Sequence, residues 1–207
     1  MNVARPHLAV SPTLEGEVLV ALAGTTRPLT GREVARLVRR GSQGGVNRAL
    51  QRLVKHGVVI QQLAGRSHLF ILNREHIAAP IAATLRDLRS TLIARIRDTI
   101  RSWPLAPRHA SLFGSMARGD GDTDSDIDLF LVRLDTVPDD APGWREQVDG
   151  LSEKVFAWTG NRLGVSEVSE HDVRSLRKRR PSIVQDLERD GIQLAGQRLD
   201  SILGAVR

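Results

Sequence analysis

Residues 114–132 read GSMARGDGDTDSDIDLFLV and contain five aspartates at strictly alternating positions: Asp120, Asp122, Asp124, Asp126 and Asp128. Ile127, Leu129 and Leu131 alternate with the last two, a pattern typical of a strand with one face in a core. Asp126 and Asp128 therefore point together to the other face, at the start of that strand. Two carboxylates so close repel each other unless a cation lies between them, so this pair predicts a divalent-metal site. Mg²⁺ is the default ion and Mn²⁺ the alternative.

The three earlier aspartates lie in a loop with Gly119 and Gly121, where we expect solvated side chains. A calcium loop of the EF-hand type is excluded. If it started at Asp120, Ser125 would occupy the position that requires glycine and Leu131 the position that requires glutamate. The predicted strand over 127–132 also leaves no room for the helix that must follow such a loop.

Gly114 and Ser115 follow a predicted strand, RHASLF (108–113), and open a helical turn. Backbone N–H groups at the start of a helix attract anions, and glycine lets a phosphate approach closely. Arg118, one turn further on, can pair with the same anion. A phosphate cradle, an arginine and a carboxylate pair within fifteen residues predict a site for a nucleoside triphosphate with Mg²⁺.

The string FGSMARGDGDTDSDIDLFLV (113–132) resembles the nucleotidyltransferases of the DNA polymerase beta-like superfamily, especially the minimal nucleotidyltransferases. The similarity covers about residues 105–195, since LERDGIQLAG (187–196) also fits the terminal helix and strand of that family. The resemblance implies a mixed sheet with packed helices and transfer of a nucleoside monophosphate to a hydroxyl, with release of pyrophosphate. It also implies a role in a toxin–antitoxin pair, with a protein, an RNA or a small molecule as the acceptor.

The same resemblance implies a third carboxylate on a neighbouring strand, for which GVSEVS (164–169) supplies Glu167. Asp126, Asp128 and Glu167 are then the expected catalytic residues and metal ligands, with Gly114, Ser115 and Arg118 binding the nucleotide. The alternative for Glu167 is a solvated side chain on an edge strand.

The basic run of Arg174, Arg177, Lys178, Arg179 and Arg180 is either a solvated helix face or a contact for RNA or triphosphate.

The N-terminal part predicts three helices, over 12–24, 30–41 and 42–57, followed by strands over 58–63 and 68–72. Thr30 with Glu33, and Ser42, are the expected helix caps. This order resembles a winged helix DNA-binding domain over residues 12–73, which implies that the third helix reads the major groove. The expected DNA-binding residues are Ser42, Gln43, Asn47, Arg48, Gln51, Arg52, Arg66 and His68; the alternative is an ordinary solvated helix face.

The charge of the chain divides by position. Residues 1–104 carry 16 Lys and Arg against 6 Asp and Glu, net +10, and residues 105–207 carry 14 against 18, net −4. A basic part joined to an acidic part fits a module that binds polyanions and one that holds cations. There is no cysteine and no membrane-length apolar run, so we expect a soluble cytoplasmic protein without a membrane role.

The predicted class is α+β, with a winged helix-turn-helix domain over 1–75, a linker helix over 76–104 and a nucleotidyltransferase domain over 105–207. The linker helix carries one apolar stripe from Ile81 to Trp103, which either docks on a neighbouring domain or forms a homodimer seam. An active transferase coupled to DNA binding is the favoured function. The alternatives are a DNA-binding regulator whose transferase domain senses a nucleotide or is inactive, and an antibiotic-modifying transferase.

Overall fold

The computed structural model describes residues 1–38, 40–179 and 181–204. The chain divides into two compact units. One unit comprises Pro6–Arg89, and the other combines Met1–Arg5 with Ser90–Arg207. The first five residues of the sequence therefore belong to the same unit as the aspartate run, although the segment that follows them does not.

The described residues of the unit Pro6–Arg89 form three helices, the start of a fourth, and a small antiparallel sheet of order β1-β3-β2. After a 3-10 turn at Pro6–Ala9, its elements are α1 (Leu14–Ala23), β1 (Leu29–Thr30), α2 (Gly31–Val38), α3 (Gln43–Lys55), β2 (Val59–Ala64) and β3 (Ser67–Leu72). The three predicted helices and the two predicted hairpin strands are confirmed. The two-residue β1 has no sequence signal, because it is too short to show a period.

Side-chain caps fix where these helices begin. Thr30 and Glu33 form a reciprocal capping box: Thr30 N–H donates to Glu33 Oε2 at 2.7 Å, and Glu33 N–H donates to Thr30 Oγ1 at 3.2 Å. Ser42 Oγ accepts from Gly45 N–H at 3.1 Å at the start of α3. The core of this unit joins residues of all three helices and of the hairpin, among them Val18, Leu22, Val34, Leu50 and Phe70.

The long helix α4 (Ala79–Arg101) begins in the first unit and ends in the second. The second unit is then built from β4 (His109–Phe113), α5 (Gly114–Arg118), β5 (Ile127–Arg133), α6 (Pro142–Thr159), β6 (Leu163–Ser169), α7 (Glu170–Arg179), α8 (Ser182–Asp190), β7 (Ile192–Gly196) and α9 (Leu199–Leu203). Its sheet has the order β6-β5-β4-β7, in which β5 and β6 are parallel and the other neighbours antiparallel. The predicted strands over 108–113, 127–132 and 164–169 are confirmed, and so are the terminal helix and strand over 187–196.

The strand β5 is buried on both faces of this sheet. Ile127, Leu129 and Leu131 lie in one core with Ile96 of α4 and Leu151 of α6. Phe130 and Val132 lie on the other face, in a second core with Val173 of α7, Val184 and Leu187 of α8 and Leu203 of α9. Asp128 shares this second face because side chains alternate along a strand.

The end of α4 docks within the second unit. Leu92, Ile96, Ile100 and Trp103, four positions of the predicted stripe, are buried in the core that contains Leu129. Ile81, at the start of the stripe, is 62% exposed. Intramolecular docking therefore accounts for the later half of the stripe. None of the helices in the described ranges combines the length and the apolarity needed to cross a membrane.

Candidate active site

The end of β4 brings Gly114 against Asp128. Phe113, the last residue of β4, is the register partner of Asp128 in β5, and Gly114 follows with φ of 66°. A Cβ atom at Gly114 would lie 2.1 Å from Oδ2 of Asp128. Only glycine therefore allows both this left-handed backbone and the approach of the carboxylate.

A second glycine borders the same carboxylate from β6. Gly164 is the register partner of Asp128 on the parallel side of β5, and a Cβ there would lie 3.3 Å from Oδ1. The Asp128 carboxylate is thus flanked by two residues without side chains. The sequence analysis missed Gly164, although a glycine inside a strand is a known signal for close approach of another group.

The electrostatics of the pair disfavour two free negative charges. Asp126 is exposed and immediately precedes β5, whereas Asp128 is partly buried. Burial, followed by the charge of Asp126, raises the pKa of Asp128, and the positive charge of Arg118 partly opposes this. A cation bound between the carboxylates would remove this repulsion.

The helix α5 carries Ser115 and Arg118 next to the pair. Ser115 is partly buried, and its carbonyl oxygen accepts from Gly119 N–H at 3.0 Å and from Asp120 N–H at 3.1 Å. Arg118 is exposed, and its Nε donates to Asp120 Oδ2 at 3.1 Å. The guanidinium therefore has a carboxylate partner already, while its charge still acts on Asp128.

The loop of residues 119–126, here called the aspartate loop, is stabilised by hydrogen bonds to the side chain of Asp122, one of its own residues. As predicted, Asp120, Asp122 and Asp124 are exposed. Asp122 Oδ1 also accepts from Ser125 Oγ at 2.8 Å and from Asp124 N–H at 3.0 Å. The Ser125 hydroxyl, followed by the Asp124 amide, lowers the pKa of Asp122. Asp122 thus shapes the backbone that leads to Asp126.

The structure does not bring Glu167 to the aspartate pair. Glu167 is the register partner of Leu131, so its side chain lies on the face of the sheet opposite to that of Asp128. There it accepts from Arg133 Nε at 2.8 Å and lines a groove of about 480 Å³ with residues of α6. Within the described ranges, no group of three or more His, Cys, Asp or Glu side chains could hold a metal ion. The expected cluster of three carboxylates is therefore absent from the described residues.

The other unit presents a polar groove of about 590 Å³ between α2, α3 and β3. Four predicted DNA-binding residues line it: Gln43, Asn47, Gln51 and His68. Two separate sets of hydrogen bonds involve these side chains, and the second set includes Gln61. Gln43 Nε2 donates to Asn47 Oδ1 at 3.3 Å, Gln51 Nε2 donates to Gln61 Oε1 at 3.0 Å, and Gln61 Nε2 lies 2.7 Å from His68 Nδ1. Thr30 and Arg32 also line this groove and were missed by the sequence analysis.

The remaining predicted DNA-binding residues do not line the groove. Ser42 caps α3, and Arg52 forms an ion pair with Glu15 of α1. Arg48 and Arg66 are exposed, the latter in the turn between β2 and β3. In the basic run of the second unit, Arg180 and the side chains of Arg174, Arg177 and Lys178 lie outside the described residues.

Comparison with known proteins agrees with the geometry of the aspartate site. Residues 93–160 match the family model of the nucleotidyltransferase domain. This segment contains Gly114, Ser115, Arg118 and both aspartates of the pair, and it ends before Glu167. The match supports a nucleotidyltransferase enzyme.

Two further comparisons add little to this match. One solved structure, described as "Crystal structure of the toxin-antitoxin with AMP-PNP", is 24% identical. That similarity covers 55% of this chain and 81% of the other, with a TM-score of 0.37. Among curated proteins, none matches this chain.

Proposed function

We propose that the unit containing Ser90–Arg207 transfers a nucleoside monophosphate from a nucleoside triphosphate to a hydroxyl group and releases pyrophosphate. The observation that carries this proposal is the pair of Asp126 and Asp128, with the second carboxylate set against the backbone of Gly114. Two carboxylates whose charges repel each other suit a divalent cation. Gly114, which follows β4, allows this close approach of the carboxylate because it has no side chain.

The donor set fits Mg²⁺, with Mn²⁺ as an alternative. Mg²⁺ is usually held by one or two carboxylates together with substrate phosphates and water, so Asp126 and Asp128 suffice without Glu167. Bound there, the metal would neutralise charge on the phosphates and lower the pKa of the attacking hydroxyl. The third carboxylate implied by the family resemblance is not part of this proposal.

The other residues of the site would hold the triphosphate. The backbone amides of Gly114 and Ser115 lie beside the carboxylate pair and are the proposed contacts for its phosphates. Arg118 would exchange Asp120 for a phosphate oxygen, since both partners are anions within reach of a flexible exposed side chain. The acceptor is a protein, an RNA or a small molecule. A toxin–antitoxin setting follows from the resemblance to minimal nucleotidyltransferases.

Transfer of label from each of four α-³²P nucleoside triphosphates, with Mg²⁺, into the protein and RNA of a cell extract tests this function. The control is Asp126→Asn, which keeps the side-chain size and removes one negative charge. We expect a labelled band with the unaltered protein that disappears with the variant. A band of equal intensity with Asp126→Asn would overturn the assignment of the site.

We also propose that the unit of Pro6–Arg89 is a winged helix-turn-helix domain that binds DNA, with α3 in the major groove. The predicted bounds of 1–75, 76–104 and 105–207 enter this proposal with two changes: Met1–Arg5 go with the transferase unit, and the linker helix is divided between the two units after Arg89. The order of helices and hairpin supports it, and so does the groove lined by Gln43, Asn47 and Gln51. Side-chain amides of this kind can pair with the edge of adenine.

Measuring DNA affinity at several salt concentrations should distinguish residues that contact bases from residues that contact phosphates. Asn47→Ala should weaken binding to a selected site more than binding to random duplex, because it removes a base contact. Combined Arg48→Ala and Arg66→Ala should lower affinity for all sequences and reduce the slope of log K against log salt by about 2, about 0.9 for each phosphate contact. The control is Arg74→Ala, because Arg74 is exposed and follows β3, outside the predicted DNA-binding residues. Binding that none of these changes affects would exclude α3 as the DNA-reading helix.

A second function remains a candidate because of the position of Glu167. A DNA-binding regulator whose transferase unit only senses a nucleotide would need the metal and phosphate contacts but not turnover. The absence of a three-carboxylate cluster from the described residues favours this reading. Nucleotide binding that depends on Asp126, together with no label transfer from any of the four triphosphates, would support it.

A further inference from the structure

Residues Met1–Arg5, here called the N-terminal strap, pack into the unit that carries the aspartate site. Val3 is fully buried, with an exposed fraction of 0%. It lies in the same core cluster as Met116, which follows Ser115 in α5, and Ile127, which lies between the two aspartates of the pair. The strap is therefore built into the core directly beneath the site.

Val3 also contacts the aspartate loop. Its backbone N–H donates to the carbonyl oxygen of Asp122 at 3.3 Å. A Cβ atom at Gly121 would lie 2.4 Å from Cγ2 of Val3 and 2.9 Å from Oγ of Ser115. The space that a side chain at Gly121 would need is thus already filled by Val3 and Ser115.

Asn161 completes the support of this loop. It is buried, and its Nδ2 donates to the carbonyl oxygen of Thr123 at 3.2 Å and to that of Ser125 at 3.0 Å. The amino group of Met1 donates to Oδ1 of the same Asn161 at 2.8 Å. Backbone carbonyls at three of the four positions before Asp126 therefore accept hydrogen bonds from Val3 or Asn161.

We infer that Val3 is a positioning residue, and that the N-terminal strap holds the aspartate loop so that Asp126 and Asp128 form one cation site. This rests on the proposed function of that site. The loop carries four aspartates and ends next to a fifth, so charge repulsion favours its movement away from β5. Packing of Val3 and the two donors of Asn161 oppose that movement.

The test compares Val3→Ala with Val132→Ala. Both side chains are fully buried in the same unit, and Val132 lies four residues beyond Asp128 on β5. Both variants should lose similar thermal stability, because both lose the same two methyl groups. Only Val3→Ala should weaken Mn²⁺ binding, by about tenfold, the lower end of the effect of removing a residue that orients metal ligands. Binding is measured by titration of the full chain with Mn²⁺ and a non-hydrolysable ATP analogue.

Two further readouts separate positioning from general destabilisation. The Mg²⁺ concentration for half-maximal transfer should rise about tenfold in Val3→Ala, while the rate at saturating Mg²⁺ stays within about threefold. Amide hydrogen exchange over residues 119–126 should accelerate in Val3→Ala and stay unchanged in Val132→Ala. If Val3→Ala does not fold, Asn161→Asp, which nearly keeps the side-chain size and removes the Nδ2 donors to Thr123 and Ser125, is measured in the same way.

The results of these experiments show separately whether the inference about the N-terminal strap fails and whether the proposed function fails. Equal Mn²⁺ affinity in Val3→Ala and unaltered protein overturns the strap, whether or not the protein transfers nucleotide. A wild-type protein that binds no Mn²⁺ overturns it as well, because no cation site then exists to be positioned. Weakened Mn²⁺ binding in Val3→Ala, with no transfer by the unaltered protein, supports the strap and counts against the enzyme.

Discussion

Replacement of Gly114 by alanine tests whether the position of the Asp128 carboxylate is what the site requires. A Cβ at residue 114 would lie 2.1 Å from Asp128 Oδ2, whereas ordinary van der Waals contact begins at 3.4 Å. The oxygen must therefore move by about 1.3 Å, the difference between these two distances. A misplacement of about 1 Å at a catalytic group can cost about 100-fold in rate, so Gly114→Ala should lose at least about 100-fold in nucleotidyl transfer.

Gly119, the residue that follows the last residue of the same helix, provides a matched control. Its φ is 77°, close to the 66° of Gly114, and a Cβ there would meet nothing within 4 Å. Both substitutions therefore carry the left-handed backbone penalty of about 1–2 kcal/mol, but only one displaces the carboxylate. Gly164→Ala is an intermediate case, because its Cβ would lie 3.3 Å from Oδ1 and would displace that oxygen little.

The assay is label transfer at saturating triphosphate and Mg²⁺, with thermal unfolding measured on the same preparations. We expect similar losses of melting temperature for Gly114→Ala and Gly119→Ala. Transfer should fall at least about 100-fold in the first and by less than about threefold in the second. Equal activity of the two variants would refute the reasoning, because the displaced carboxylate would then have no part in transfer.

Two further substitutions test the charges of the site. With Mg²⁺ present, Asp128→Asn should abolish transfer. In metal-free protein the same change should raise the melting temperature at pH 7, because burial and Asp126 raise the pKa of Asp128 and its ionised form destabilises the fold. That gain should disappear as the pH falls through the raised pKa, where Asp128 is itself protonated; a lower melting temperature at pH 7 would contradict it. Glu167→Gln should leave transfer within about threefold and cost at most about 1 kcal/mol of stability through its pair with Arg133. A 100-fold loss of transfer would instead return Glu167 to the site.

The aspartate pair could be predicted because its signals are local. The period of two over Ile127, Leu129 and Leu131 fixes the strand and hence the face on which Asp128 lies. The two glycine-flanked helix caps of the N-terminal unit, at Thr30 and Ser42, were readable for the same reason. Each of these features depends on residues within four positions of one another.

Glu167 could not be assigned in this way, because its face depends on the register between β5 and β6. Spacing along the chain places a carboxylate on the neighbouring strand, but a shift of one residue moves its side chain to the opposite face of the sheet. The pairing of Leu131 with Glu167 puts Ser166, opposite Phe130, on the face of Asp128. A single position thus separates the expected carboxylate from the observed serine.

Contacts between residues far apart in the sequence could not be predicted either. Val3 is one apolar residue in a short segment without periodicity, and its partners Asp122 and Gly121 lie more than a hundred residues away. Likewise, Arg52 is on the predicted helix α3, but its ion pair with Glu15 depends on how α1 packs against that helix. A helical face can be read from spacing, whereas the partner of a long side chain on that face cannot.

The direction of the pKa shifts separates structural carboxylates from the aspartate pair. Hydrogen bonds from Ser125, Ser169 and Arg198 lower the pKa values of Asp122, Asp172 and Asp200 respectively, as expected of acids that stabilise loops and helix ends. The pKa of Asp128 is raised instead, by burial and by a like charge. It lies beside Gly114, whose missing side chain makes space for its carboxylate. A partly buried carboxylate next to a like charge does not serve folding, and a perturbed carboxyl of this kind is expected where a ligand binds.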